Sequence, residues 1–255
     1  MNIDVFNLNG KVLKSIELPD LFNEPIRKDL ILRAITSENT YKLQPQGSYR
    51  FAGMETSAVY VGRMSAYRTG RHMGAAIRPK EKLGGGVQGK VKRIPSATKG
   101  RRAHPHKVEK ILIEHINKKE YQKAIKSAIA YTYSNTSNNP VVISNEIESL
   151  SKTKQVISAL NALNLQNSVE KKKKIRKGLR RSSKQKTYKK TILIIVADNT
   201  NILKSARNIA GIDVCTTKTI SVNLLVPGGN SKRIVLWSEN AMLNIPQDIK
   251  NLYLK

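Results

Sequence analysis

Thr191-Ile192-Leu193-Ile194-Ile195-Val196-Ala197 is an unbroken apolar run in which β-branched residues predominate. A strand with one wet face alternates apolar and polar side chains. This run does not alternate, so it reads as a strand covered on both faces, as in a parallel sheet between two layers of helices. Toward the C-terminus the spacing predicts a helix over 202–209, a strand over 212–216, a short helical stretch over 222–225 and a strand over 233–237. That alternation predicts an α/β fold with a largely parallel sheet flanked by helices. Trp237, inside an apolar strand, is expected in the core. Asp198 follows the run at the place where α/β enzymes present ligand-binding groups. No glycine-rich turn accompanies it, and its expected role is to cap the next helix.

Toward the N-terminus, residues 151–165 read as a helix with Val156, Leu160 and Leu163 on one face, and 141–143 as a buried strand. Asn117-Lys118-Lys119-Glu120 resembles a capping box and predicts a helix carrying Tyr121, Ala124, Ile125, Ala128 and Ile129 inward. Val108, Ile111, Leu112 and His115 also fall on one helical face. Residues 2–18 read as a hairpin turning at Asn9-Gly10. Pro25 is expected to open a helix that buries Ile26, Leu30, Ile31 and Ala34.

Residues 45–107 differ from everything around them. They hold fourteen Arg or Lys residues (Arg50, Arg63, Arg68, Arg71, Arg78, Lys80, Lys82, Lys90, Lys92, Arg93, Lys99, Arg101, Arg102, Lys107) against Glu55 and Glu81, and ten of the fifteen glycines. Their apolar residues are scattered, with neither a helical nor a sustained strand period. Fixing a backbone costs on the order of 1–2 kcal/mol per residue, more than such a set can offset, so the segment is expected to lack a shape of its own. The charge names a polyanion as the partner that orders it. Glycines allow close backbone approach while Arg and Lys neutralise phosphates, which suits threading through folded RNA better than lying in a DNA groove on a rigid helix. Extended at about 3.3 Å per residue, an out-and-back loop of this length reaches at most on the order of 100 Å. Tyr60 and Tyr67 are candidates either for base stacking or for packing within the loop. A second basic stretch, 171–190, has twelve Lys or Arg residues and no acid. The expected organisation is a globular α/β domain from 1–44 and 104–255, an inserted loop over 45–103 and a second basic loop over 171–190.

The whole chain agrees with that partner: 46 Lys plus Arg against 18 Asp plus Glu give a formal net charge of +28, and the pI is near 10.3. An anionic membrane is the weaker alternative, because no helix combines a broad apolar face with Trp or Phe anchors. The N-terminus lacks the pattern of a secretory signal and the lone cysteine, Cys215, precludes an intramolecular disulfide; both fit a reducing cytoplasm. Gly84 to Lys90 spells G-x-x-x-x-G-K, but Val91 stands where a phosphate loop needs Ser or Thr. His104-Pro105-His106 has no Cys-x-x-Cys to complete a zinc site. The acids are dispersed, so no catalytic residues and no cofactor are expected. An α/β enzyme acting on RNA and a basic DNA-binding regulator remain as rivals.

The chain is identified as a member of the large-subunit ribosomal protein four family by its motifs. Ala52-Gly53-Met54-Glu55-Thr56-Ser57-Ala58 with Gly62-Arg63, and the stretch from Arg93-Ile94-Pro95-Ser96 through Gly100-Arg101-Arg102-Ala103-His104-Pro105-His106-Lys107, resemble the central loop of its archaeal and eukaryotic branch. Pro25-Ile26-Arg27-Lys28, Arg207-Asn208-Ile209, Gly211-Ile212-Asp213-Val214 and Pro227-Gly228-Gly229 match in order, and the lack of a long C-terminal extension resembles the archaeal form. The resemblance implies a non-catalytic, ribosome-associated protein of the cytoplasm. Its partners would be large-subunit rRNA and neighbouring ribosomal proteins, with neither a membrane nor a small-molecule substrate, and any structural magnesium would be held by the RNA.

The rRNA-binding residues so implied are Arg50, Arg63, Arg68, Arg71, Arg78, Lys90, Lys92, Arg93, Lys99, Arg101, Arg102, His104 and Lys107 in the loop. In the second stretch they are Arg176, Lys177, Arg180, Arg181, Lys184, Lys186 and Lys189. By the same resemblance Gly62, Arg63, Met64, Gly84, Gly85 and Gly86 lie toward the peptide exit tunnel. Met64 replaces a family glycine, and Arg180-Arg181-Ser182-Ser183 replaces a glycine-rich centre.

Overall fold

The structure, a computed structural model, describes residues 2–60, 76–135, 141–165, 173–175, 186–188, 190–198, 201–230 and 233–248. The chain forms two compact units, Met1–Lys42 with Ile113–Lys255, and Leu43–Leu112.

The first unit is built on a six-stranded sheet. Its strands are β1 (Asn2–Phe6), β2 (Val12–Glu17), β5 (Val141–Ile143), β8 (Ile192–Val196), β9 (Ile212–Thr216) and β10 (Ile234–Ser238), in the spatial order β2-β1-β5-β10-β8-β9. The β1–β2 pair is antiparallel and every other pair is parallel. The apolar run thus becomes β8, an interior strand with all five residues buried. Its side chains alternate between two cores. Leu193 and Ile195 pack with Trp237 and with residues of α1 (Lys28–Thr40) and α2 (Lys118–Asn135), including Ile31, Ala34, Ile125 and Ile129. Ile192, Ile194 and Val196 pack with Val156 and Leu160 of α3 (Thr153–Ala162) and with Ile202 and Ala206 of α4 (Ile202–Arg207). Each such side chain, fully buried, contributes about 1.5–3 kcal/mol, which is why the pattern of this strand governs the fold. A four-residue helix, α5 (Val222–Leu225), and a C-terminal helix, α6 (Glu239–Asp248), complete this unit's described α-helices.

Several expectations change. Pro25 lies three residues ahead of α1, because Ser127 Oγ accepts from Arg27 N at 2.6 Å and donates to the Pro25 carbonyl at 3.1 Å, holding the approach extended. Ile26 is accordingly exposed. The hairpin loop runs over residues 7–11, with Asn7 N donating to the Lys11 carbonyl; Gly10 takes φ +77°, and a Cβ there would lie 2.6 Å from the Ala162 carbonyl. Residues 108–115 form no helix. Ser37 Oγ donates to the Glu114 carbonyl and Glu114 N donates to Thr40 Oγ1, so α1 takes the backbone groups a helix would pair, and Ile111 is 83% exposed. Asn201, not Asp198, is the N-cap of α4; Asp198 lies four residues before that helix and faces Lys218 at 3.4 Å. Half of the expected capping box forms at α2, where Glu120 Oε2 accepts from Asn117 N at 3.4 Å.

Two buried polar centres tie the elements together. Glu38, on α1, accepts from Tyr121 Oη (2.8 Å), Val222 N (2.7 Å) and Asn223 N (3.0 Å), so one carboxylate caps α5 and joins three helices. Burial and then the facing carboxylate raise the Tyr121 phenol well above its ordinary range. Arg233, with no exposed side-chain surface, donates to the carbonyls of Leu224 (2.7 Å) and Ile192 (2.8 Å) and to Asp213 Oδ2 (2.6 Å). Lys190 holds the same carboxylate at 2.8 Å. Burial works to raise Asp213, but Lys190 and Arg233 outweigh it and leave the carboxyl below its usual value. Cys215, buried and free, is pushed up to about 12 by burial, so it is an unreactive thiol.

At the C-terminal ends of β8 and β10, where successive loops leave on opposite faces and open α/β sheets bind ligands, Glu148 fills the gap. Its Oε1 accepts from Ala197 N (3.2 Å) and from Ser238 Oγ (2.6 Å). Among the described residues no helix is long and apolar enough to cross a membrane, and no group of His, Cys, Asp and Glu is arranged to hold a metal.

Candidate nucleic-acid interface

The unit Leu43–Leu112 is held by backbone rather than by a core. Ala58 is its one fully buried hydrophobic residue among those described, while Tyr49, Phe51, Val59, Tyr60, Ile77, Leu83, Val87 and Val108 are all exposed. The outgoing and returning segments meet where glycines let them. A Cβ on Gly47 would sit 2.7 Å from the Val108 side chain and one on Gly53 (φ +77°) 2.7 Å from the Arg101 backbone; within the returning segment, one on Gly100 would lie only 2.0 Å from the Ile94 carbonyl of its own turn. Ser48 N donates to the His106 carbonyl at 3.1 Å, and Arg93 Nε donates to the Met54 carbonyl at 3.1 Å. Farther out, Val59 pairs with Lys80, and β3 (Lys80–Lys82) runs antiparallel to β4 (Gln88–Val91) across a turn at Gly84–Gly86. Gly85 takes φ +72°, and nothing lies within 4 Å of a Cβ placed at Gly84 or Gly85. Lys-Glu-Lys is short and charged, so no strand pattern marks this pair.

Among the described residues of this frame, few of the cations meet a carboxylate. Lys92 faces Glu81 at 3.9 Å, and Arg50 lies 6.0 Å over the Phe51 ring. Arg78, Lys90, Lys99, Arg101, Arg102 and Lys107 are exposed and make no ion pair with any described residue, and His104 is likewise exposed. Tyr49 Oη donates a short hydrogen bond to Glu55, which raises its phenol, and its ring meets Phe51 edge-on at 6.0 Å. Tyr60 is half exposed, so its face is open to a base. Of the expected contact residues, Arg63, Arg68, Arg71, Arg176, Lys177, Arg180, Arg181, Lys184 and Lys189 lie outside the described residues, as do Gly62, Met64 and Tyr67. Lys186 falls in a short antiparallel pair, β6 (Lys173–Ile175) with β7 (Lys186–Tyr188).

A surface of unpaired cations on a glycine-held frame is what a polyanion-binding protein presents, and sequence comparison gives its lineage. The sequence model of the Ribosomal protein L4/L1 family matches residues 16–247. The chain belongs to this family. Among relatives, the large ribosomal subunit protein uL4 of Methanocaldococcus jannaschii is 40% identical over 258 residues, covering 95% of this chain and 97% of its own. The protein of the same name from Methanospirillum hungatei is 38% identical, with the same coverage, and that of Methanococcus vannielii is 39% identical over 259 residues. The archaeal resemblance read from the loop motifs therefore extends along nearly the whole chain.

As an L4/L1 protein the chain is a ribosomal protein and not an enzyme. An open cleft of about 450 Å³ is lined by Gln44, Gln46, Gly47, Ser48, His106 and Lys107 among others, and one of about 470 Å³ shares its wall and adds Tyr49 and Arg50. No motif marks it, since it arises only where the outgoing and returning segments come together.

Proposed function

We propose that the chain is a structural constituent of the large ribosomal subunit, working in translation by binding large-subunit rRNA. The observation that carries this reading is the row of exposed Arg and Lys side chains without carboxylate partners on a unit that has almost no core. RNA phosphates supply the counter-charges, and the shape of folded RNA supplies the packing that the unit lacks. In this reading 45–103 is the rRNA-penetrating loop and 171–190 a second basic contact. Arg50, Arg78, Lys90, Lys92, Arg93, Lys99, Arg101, Arg102, His104 and Lys107 meet backbone phosphates, joined by Arg63, Arg68, Arg71, Arg176, Lys177, Arg180, Arg181, Lys184, Lys186 and Lys189. Gly62, Arg63 and Met64 and the open turn Gly84–Gly86 reach toward the peptide exit tunnel. Neighbouring large-subunit proteins complete the surroundings, magnesium is held by the RNA rather than by the protein, and the working compartment is the cytoplasm.

The test is the salt dependence of rRNA binding. Arg101→Ala with Arg102→Ala removes two exposed charges without touching the core, and each lost phosphate contact lowers the slope of log K against log salt by about 0.7–0.9. The double variant is expected to lose roughly 1.4–1.8 of that slope. An unchanged slope moves both residues off the RNA.

A further inference from the structure

Most cations of the Leu43–Leu112 unit lie on open surface, where they can meet phosphates but read nothing. The two adjoining clefts at its base differ. They are concave, they share Gly47, Ser48, His106 and Lys107, and their volumes of about 450 and 470 Å³ fall within the roughly 300–1,000 Å³ that small-molecule sites span. Among the described residues the side chains of Gln44, Gln46, Ser48 and His106 make no hydrogen bond. An amide offers a donor and an acceptor side by side, the pattern found on a base edge. The exposed ring of Tyr49 stands on the wall of the second cleft as a stacking face. Arg50, Lys107 and Lys110 outnumber Glu109 around the rim, so the cleft favours an anion.

We infer that the two adjoining clefts together take a single unstacked nucleotide of the rRNA, its base between the Gln44 and Gln46 amides of one and the Tyr49 ring of the other, its phosphate on Lys107 and Lys110. The inference rests on the rRNA-binding reading and adds base recognition to it. Single-stranded RNA is read in this way, with an extruded base stacked on an aromatic ring and hydrogen-bonded along its edge. Gly47 keeps the cleft narrow by bringing the outgoing segment against Val108.

The test uses the full chain bound to large-subunit rRNA. Gln44→Ala with Gln46→Ala removes no charge and no buried group, so it is expected to weaken binding about tenfold with an unchanged salt slope. Base-specific chemical probing is expected to show one unpaired nucleotide protected by the native chain and exposed again in the double variant. In a second measurement, a photo-crosslinking amino acid at Gln46 is expected to attach to that nucleotide alone. Unchanged affinity and footprint in the double variant would overturn the inference, as would a crosslink to paired RNA or, in the assembled subunit, to a neighbouring protein. In each of those cases rRNA binding itself would stand. Failure of the native chain to bind rRNA would instead sink the reading beneath it, and the inference with it.

Discussion

Asp213→Ala is expected to destabilise the folded chain by about 3–5 kcal/mol, the cost of leaving a buried charge without its partner. Arg233 has no exposed side-chain surface, and its two carbonyl acceptors, on Leu224 and Ile192, carry no charge to balance the guanidinium. Lys190 cannot compensate, because it is a second cation facing the vacated position. At roughly 2–4 °C per kcal/mol for a protein of this size, the melting temperature should fall by on the order of 10 °C. Replacing both members by apolar residues should cost less than removing either one. The pH dependence has a definite sign. Asp213 is held below its ordinary carboxyl value, so its contribution is complete above the unfolded pKa and is lost as the pH falls through the depressed folded one. Melting curves of native and variant chains should therefore converge on acidification. A gap that widened toward acid pH would contradict the pairing.

Glu38→Ala is expected to cost a comparable amount, about 3–5 kcal/mol, because three donors lose one acceptor together. Tyr121 Oη, Val222 N and Asn223 N all point at this carboxylate, and each buried donor left unpaired costs about 1–3 kcal/mol. Glu38→Gln keeps one oxygen in place and should recover part of the loss. Tyr121→Phe removes one donor and leaves the two backbone bonds, so it should cost least. Chemical denaturation of the three variants checks the order Ala, Gln, Phe from most to least destabilised; equal effects would mean that the carboxylate does not organise α1, α2 and α5.

Much of this architecture is legible from short-range pattern. Runs such as 192–196 and 212–216 have strand length and are apolar enough that burial leaves them few alternatives, and Tyr121, Ala124, Ile125, Ala128 and Ile129 repeat at helical spacing. What escapes is decided by partners distant in sequence. Residues 108–115 carry a helical spacing but form no helix, and Ser37 and Thr40 claim the Glu114 backbone. Helix α6 contains Pro246, a residue that ordinarily breaks a helix, and buried Ala241, Met242 and Ile245 hold its inner face against the sheet. Neither Glu38 nor Arg233 shows any local sign of its buried partners, which lie far along the chain or across neighbouring strands. The charged surface of residues 45–107 was plain from composition, because unpaired charge needs no geometry to be recognised. The cleft at Gln44 and Gln46 was not, for it exists only after residues 44–50 and 105–110 have been brought together.

The most direct test of the account deletes residues 49–99 and follows thermal melting and rRNA binding together. The deletion removes all of the fourteen basic residues of 45–107 except Arg101, Arg102 and Lys107, and leaves both cores of the α/β sheet intact. One cooperative melting transition is expected, with rRNA affinity at moderate salt reduced by orders of magnitude and a salt slope several units shallower. A deletion chain that melts cooperatively and still binds rRNA with native affinity and native slope would contradict it.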